Sequence, residues 1–345
     1  MRIAVCTSQI PFEWGGCEIL TEALVRNLRE WGHEVETVRI PLCWNQPDEL
    51  LKSYLAWRLI NVKVSEGVTI DRVIALKFPA YVVPHPYKVT WLVHQLRQAY
   101  DLLNTEYSYF GNSQADRDLL ELIQRMDAKT IAESRHVFSI SQNVADRLER
   151  YNRVPSEVLY PPPAHDGAFR NDGYGDYILS VSRLNVLKRV DLLVRAMGLV
   201  ETPVRCRIVG QGDRMDSLRA LAREAGAEAR IDFLGFVPDE DVLGLYAAAL
   251  ALFYAPLDED YGLATVEANK SGKAVLTASD SGGVLEFVRD GVTGYVVEAD
   301  DPAALAQRID ALYLDRGLAE RLGAAAQEIV GPITWETTIR RLTEV

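Results

Sequence analysis

The sequence predicts an α/β protein made of two doubly wound parallel sheets. Three observations carry that expectation. Residues 1–40 run strand, loop, helix, strand, an order that lays consecutive strands parallel with a helix crossing between them. A second series of the same kind starts at Tyr177, after a stretch of proline and then of glycine and aspartate. The chain, at 345 residues and 48% hydrophobic side chains, is long and apolar enough for two cores of ordinary size.

In the first half, Arg2-Ile3-Ala4-Val5-Cys6 reads as a buried strand. A loop from Gln9 to Gly16 follows, then a helix near Cys17 to Trp31 with Ile19, Leu20, Ala23, Leu24 and Leu28 on one face. Gly32-His33 closes that helix and Glu34 to Ile40 is the next strand. Ligands of such sheets bind beyond the carboxyl ends of the strands, which places the Pro11–Gly16 loop in a crevice. Gly15 and Gly16 would let backbone amides approach a phosphate or an acceptor, although a lone Gly-Gly is more often a plain turn. Asp48 to Val64 reads as a helix with Tyr54 and Trp57 facing the core. Arg72 to Ala75 and Val89 to Val93 read as strands, the second running into His94. A histidine at a strand end is by default a satisfied polar residue. Tyr81, Trp91, Tyr100, Tyr107 and Tyr109 gather aromatic rings in this half, where either a ligand or the core could stack on them. Asp116 to Ser134 is a long amphipathic helix, His136 to Ser141 a strand and Gln142 to Tyr151 a helix. Pro161-Pro162-Pro163 stiffens the exit, and residues 164–176 read as the linker.

In the second half, Tyr177 to Val181 is a strand, and Ser182-Arg183-Leu184-Asn185-Val186-Leu187-Lys188 leads into a helix bearing Val190, Leu193, Val194 and Met197. Two cations beside a helix start, Arg183 and Lys188, suit a diphosphate. Two solvated cations are the plainer alternative. Arg207 to Val209 is a strand followed by the turn Gly210-Gln211-Gly212, a weak nucleotide signal by itself. Ile231 to Pro238 is a strand and turn that includes Phe236 and Val237. Ala249 to Tyr254 reads as a buried strand ended by Pro256, then comes the acidic loop Asp258-Glu259-Asp260. A helix from about Leu263 to Lys270, closed by Gly272, precedes a strand at Lys273 to Leu276. The amides of Gly262, Leu263 and Ala264 would be the unpaired donors of a helix N-terminus, where the dipole favours a phosphate. Glu267 lies one turn down on the same face and could accept from a sugar diol. A surface acidic loop with a solvated helical glutamate is the bland alternative. Gly291 to Val297 looks hairpin-like, and Pro302 opens a further helix. The expected division is residues 1–168, residues 169–325, and a terminal helix within 326–345 around Trp335.

The formal charge of −12 argues against nucleic acid as the main partner. The charge is uneven, with −2 on residues 1–170 and −10 on residues 171–345, so the first half tolerates an anionic membrane surface better. Cys6, Cys17, Cys43 and Cys206 are scattered without metal or redox spacing. No apolar run reaches spanning length and no leader pattern opens the chain, so the expectation is a cytoplasmic protein that at most touches the inner membrane face.

The stretch Glu259-Asp260-Tyr261-Gly262-Leu263-Ala264-Thr265-Val266-Glu267-Ala268 resembles the signature of retaining nucleotide-sugar glycosyltransferases of the GT-B fold, family four (glycosyl transferases group 1). Their pattern is Glu-Gly-Phe-Gly-Leu-Pro, two residues, then Glu-Ala. Asp260 stands here in place of the first glycine and Ala264 in place of the proline. The order strand, Ser-Arg-Leu, a few residues, Lys, helix at 180–190 is also that of the family. The resemblance implies two facing Rossmann-like domains with a cleft between them, a terminal helix within 326–345 that crosses back onto the first domain, and transfer of a hexose-type sugar from a nucleoside diphosphate donor to an acceptor hydroxyl, on a sugar, a lipid-linked sugar or a small molecule. It implies His94, Arg183, Lys188 and Glu259 as catalytic residues. It further implies Gly15, Gly16, Gly210, Phe236, Val237, Gly262, Leu263, Ala264 and Glu267 as substrate-binding, with no metal and no cofactor beyond the donor. The letters Asp258-Glu259-Asp260 also spell the Asp-x-Asp of metal-dependent transferases, which sit on another fold. A sugar-nucleotide epimerase and a non-catalytic sugar-nucleotide-binding module share the same cleft and stay open, as do the base, the sugar, the acceptor and the oligomeric state.

Overall fold

The computed structural model describes residues 1–43, 46–111 and 113–345. The chain divides into two compact units, residues 1–164 with 333–345, and residues 165–332.

In the first unit the elements run β1 (Arg2–Gln9), α1 (Gly16–Glu30), β2 (Glu34–Pro41), α2 (Pro47–Leu59), β3 (Val64–Ser65), β4 (Val68–Thr69), β5 (Arg72–Ala75), β6 (Lys88–Leu92), α3 (Gln114–Ala132), β7 (His136–Ser139), α4 (Gln142–Asn152) and β8 (Glu157–Val158). Six strands form one parallel sheet in the order β2-β1-β5-β6-β7-β8. The strand order reverses between β1 and β5, the place where open parallel sheets bind their ligands, beyond the carboxyl ends of the strands. Helix starts carry their own caps. Ser113 accepts from the Asp116 amide at the head of α3, and Ser141 accepts from the Val144 amide at the head of α4.

In the second unit the order is β9 (Tyr177–Val181), α5 (Val190–Met197), β10 (Arg205–Val209), α6 (Met215–Glu224), β11 (Ile231–Gly235), α7 (Asp239–Ala248), β12 (Ala251–Phe253), α8 (Leu263–Lys270), β13 (Val275–Ala278), β14 (Gly294–Val297), α9 (Pro302–Leu314) and α10 (Arg316–Val330). Its sheet, β11-β10-β9-β12-β13-β14, is parallel throughout and reverses between β9 and β12. The chain then closes with α11 (Trp335–Glu344), which packs against α1. Trp335 Nε1 donates to the Pro163 carbonyl at 2.9 Å, and Arg72 donates to the Leu342 carbonyl at 2.7 Å.

Several expectations need correction. The second helix stops at Leu59, and residues up to Thr69 form the hairpin β3–β4. Its turn residues Glu66 and Gly67 both have positive φ, 49° and 81°, as a two-residue hairpin turn requires. Gly291 to Val297 is no hairpin, because β14 pairs parallel with β13 and only a tight turn, Gly291 N–H to the Gly294 carbonyl at 2.9 Å, precedes it. Residues 165–176 are no free linker. The fully buried Lys273 donates to Asn171 Oδ1 at 2.6 Å and to the Gly173 carbonyl at 2.5 Å, and Asp166 pairs with Lys270 at 2.7 Å. These bonds bind the strap to the second unit and set the division at 164/165 in place of 168/169. The return to the first unit comes at 332/333 in place of 325/326, since α10 runs on to Val330 against α8. Tyr81, Trp91 and Tyr100 are buried core residues, so no ligand stacks on them.

Candidate functional site

The second unit's reversal point gathers most of the sequence-predicted residues on two loops, one after β9 and one after β12. The first loop holds Arg183, which is exposed, and Lys188, which ends a 3-10 turn over Val186–Lys188 capped by the Asn185 side chain. The second holds Asp258, Glu259 and Asp260. A backbone bond from Leu257 N–H to the Leu187 carbonyl at 2.8 Å ties the two loops together. Lys188 and Glu259 consequently form an ion pair, and the Tyr254 hydroxyl bridges them, 3.0 Å from Lys188 Nζ and 3.1 Å from Glu259 Oε2. Burial acts to depress the lysine, but Tyr254 and Glu259 outweigh it, and the pKa is raised overall. Lys188 is a fixed cation at any ordinary pH.

Glu259 is further held by a third loop. Its carbonyl accepts from the Gly283 amide at 2.8 Å, and Asp258 N–H donates to the Asp280 carbonyl at 2.9 Å. Gly283 is required there, since a Cβ would lie 2.6 Å from the Asp260 carbonyl oxygen. Arg189 locks the same corner. Its guanidinium binds both Asp280 oxygens, at 2.6 and 2.9 Å, and the carbonyls of Ala255 and Pro256 at 2.8 and 3.0 Å.

Helix α8 starts beside this pair. Gly262 is its N-cap at φ 83°, where a Cβ would meet Val284 Cγ2 at 2.7 Å. Leu263 and Ala264 form the first turn, whose amides have no partner within the helix. One turn on, Glu267 Oε2 accepts from the Tyr246 hydroxyl at 2.8 Å. Burial pushes the Glu267 carboxyl up to about 7; the Tyr246 bond opposes the rise and Asp239 adds to it. Gly210 lies next to this region for a backbone reason, since at φ 131° a Cβ would fall 1.8 Å from the Ser182 carbonyl oxygen. The Ser182–Leu184 and Gly210–Gly212 backbones run in contact, with Leu184 N–H to the Gln211 carbonyl at 2.9 Å. Phe236 is exposed and Val237 half-buried, on the turn between β11 and α7.

The first unit holds the remaining three. Gly15 is the N-cap of α1, and its amide is already taken by Glu18 Oε2 at 3.0 Å. Glu18 in turn pairs with the buried Lys77 at 2.7 Å, at the end of β5. The Gly15 N–H therefore caps its own helix, contrary to the expectation that it faces a ligand, while Gly16 is exposed at the first helical position. His94 follows β6, half-buried, with Nδ1 2.7 Å from the Gln95 carbonyl oxygen.

The sequence reading overlooked Tyr254, Tyr246 and Arg189. The two tyrosines sit inside apolar runs and read as core, which they also are. Arg189 directly follows Lys188 and could have been flagged by that adjacency. Among the described residues no group of three or more His, Cys, Asp or Glu side chains is placed to hold a metal ion, and no helix is long and apolar enough to cross a membrane.

Comparison with known proteins agrees with this architecture. The model of the family described as glycosyl transferases group 1 matches residues 165–329. D-inositol 3-phosphate glycosyltransferase of Nocardia farcinica is 32% identical over 242 residues, covering 66% of this chain and 53% of that relative. The chain thus spans little more than half of that relative's length. Among solved structures, Anabaena HepE in complex with UDP and glucose superposes with a TM-score of 0.73 at 18% identity, covering 100% of this chain and 99% of that one. Sucrose-phosphate synthase from Thermosynechococcus elongatus superposes with a TM-score of 0.76 at 18% identity, covering 100% and 98%. The chain has the two Rossmann-like sheets of the GT-B glycosyltransferase structures, and the glycosyl transferases group 1 model matches nearly the whole of its second unit.

Proposed function

We propose that this protein is a glycosyltransferase that moves a hexose-type sugar from a nucleoside diphosphate donor to an acceptor hydroxyl, with retention and without a metal. The observation that carries the reading is the convergence, at one reversal point of a parallel sheet, of a fixed cation, an open helix start and a carboxylate one turn along that helix. The family match of the second unit and the UDP and glucose bound to HepE support it.

The roles follow from charge. Arg183, Lys188 and the first-turn amides of Gly262, Leu263 and Ala264 stabilise the diphosphate as it leaves and gains charge. Glu267 accepts from the ribose hydroxyls. The turn at Phe236 and Val237 flanks the base, and Gly210 allows the close backbone contact that shapes the neighbouring loop. Glu259, oriented by Lys188 and Tyr254, binds the sugar. His94 and the exposed Gly16 act on the sugar and acceptor side. Glu259 is committed to a lysine, which suits a cationic clamp made of side chains in place of one made by a metal. No carboxylate is left as a nucleophile in this assignment. The leaving phosphate itself takes the acceptor proton on the same face.

Thermal stabilisation by UDP-, GDP-, ADP- and dTDP-sugars tests the reading. A donor at one hundred times its Kd adds about 2.7 kcal/mol to the stability of the unit that binds it. We expect one base to raise the melting temperature of the parent, with EDTA present, and to leave Glu267→Ala unmoved. No shift with any donor at millimolar concentration would sink the proposal.

A further inference from the structure

A chain of buried polar side chains, unused by the chemistry above, supports the turn after β6. Gln95 is fully buried and donates from Nε2 to Asn152 Oδ1 at 2.6 Å. Asn152, the last residue of α4, donates from Nδ2 to the Tyr100 hydroxyl at 3.0 Å. Tyr100 donates to Asp127 Oδ2 at 2.7 Å, and Tyr54 donates to the other oxygen of Asp127. Asp127 lies on α3 with no exposed surface, and neither hydroxyl that reaches it is cationic.

Above about pH 7, where Asp127 is ionised, the direction of every bond follows from the carboxylate, which then only accepts. Both tyrosine protons point at Asp127. The Tyr100 oxygen is then an acceptor for the Asn152 amide nitrogen, and this turns the Asn152 carbonyl oxygen toward the Gln95 amide nitrogen. Burying such groups costs free energy that an apolar cluster of the same shape would not, and what they supply in return is a single orientation. The chain ends beside His94, whose Nδ1 lies 2.7 Å from the backbone oxygen of Gln95. A carbonyl only accepts, so Nδ1 carries the proton, and in the neutral ring Nε2 is the acceptor. From the other side the turn is held by Val93 N–H on the Leu76 carbonyl at 2.9 Å and Phe78 N–H on the His94 carbonyl at 3.3 Å.

We propose that Asp127 is a positioning residue for His94. Acting through Tyr100, Asn152 and Gln95, it sets the turn in which the Gln95 carbonyl keeps His94 in its Nδ1–H form, so that Nε2 accepts a hydrogen bond from a substrate hydroxyl. Only the hydroxyl rests on the glycosyltransferase reading; the ring form does not.

Nitrogen-15 NMR of histidine-labelled protein reads the ring form with no substrate present, the His94 signals being those lost in His94→Gln. The parent is expected in the Nδ1–H form. Asp127→Asn keeps the shape and removes the acceptor-only group, and Asn152→Leu cuts the middle link, so either one carries the test if the other does not fold. Both should show a mixture of ring forms and lose about tenfold or more in kcat, with KM for the donor within about twofold. His94→Gln, whose Oε1 takes the place of Nε2 as an acceptor, should retain more activity than His94→Asn. An Nε2–H parent overturns the proposal. So does a folded variant that keeps the parental ring form, or one that loses it with kcat unchanged. Should the ring forms behave as expected while neither parent nor variants turn over any donor, the glycosyltransferase reading falls and the positioning chain stands.

Discussion

Glu267 is the side chain whose charge state matters most for donor binding. Only its ionised form offers acceptors to both hydroxyls of a ribose diol, and burial has moved its pKa to about 7. Donor affinity is therefore expected to rise about tenfold between about pH 6 and pH 8, as the free carboxyl loses its proton. Calorimetric Kd values across that range check it, and a flat profile removes Glu267 from the ribose. Folding responds in the opposite sense. The unfolded carboxyl titrates near 4.5 and the folded one near 7, so within that window the folded state keeps a proton that the unfolded state has released. Stability then falls as pH rises through the window. Asp127, raised from 3.8 to about 7 by burial against the opposing bonds from its tyrosines, acts in the same direction. Glu267→Gln cannot ionise, and its melting temperature relative to the parent should climb from about pH 5 and level off above about pH 7.

At the scale of elements, the stretch from β12 through α8 was the most legible part of the sequence. A short apolar run, a proline, an acidic loop and a glycine punctuate it, and the helix falls on Leu263–Lys270 as read. The elements that escaped are those whose cause lies outside their own residues. β14 is a strand because β13 offers it an edge, and the 165–176 strap is ordered because Lys273 reaches it from another part of the chain. Gly262 and Gly291 separate two glycine requirements that a sequence cannot. Both have positive φ, 83° and 68°, yet a Cβ at Gly291 meets nothing while one at Gly262 strikes Val284 at 2.7 Å. Gly291→Ala should cost about 1 kcal/mol of backbone strain. Gly262→Ala should cost about 2–4 kcal/mol, because strain and overpacking add. Denaturant unfolding of both variants measures the difference, and equal costs would show that Val284 gives way.

On the scale of the whole molecule, the first unit is finished by the last helix of the chain. Ile339 and Leu342 of α11 are fully buried and Trp335 nearly so, and Arg72 spends a hydrogen bond on the Leu342 carbonyl. Burying three such side chains contributes about 5–9 kcal/mol, comparable with the whole stability of a domain. Removing residues 333–345 is expected to unfold the first unit and leave the second folded. Calorimetry should lose the first unit's transition and keep the second unit's, including its shift with a donor. Loss of both transitions would show that the second unit does not fold by itself. The sequence places a helix around Trp335 and its periodicity is silent on which unit receives it; the family resemblance implies the first, where the helix sits.

This interrupted connectivity also sets an order in time. Residues 165–332 separate the two parts of the first unit, and at about 5–20 residues per second the ribosome takes about 8–34 s to make them. Throughout that interval β1 to β8 have emerged without the helix that covers them, while the second unit becomes complete first. Chaperone demand during synthesis should therefore fall on the amino-terminal half of the nascent chain.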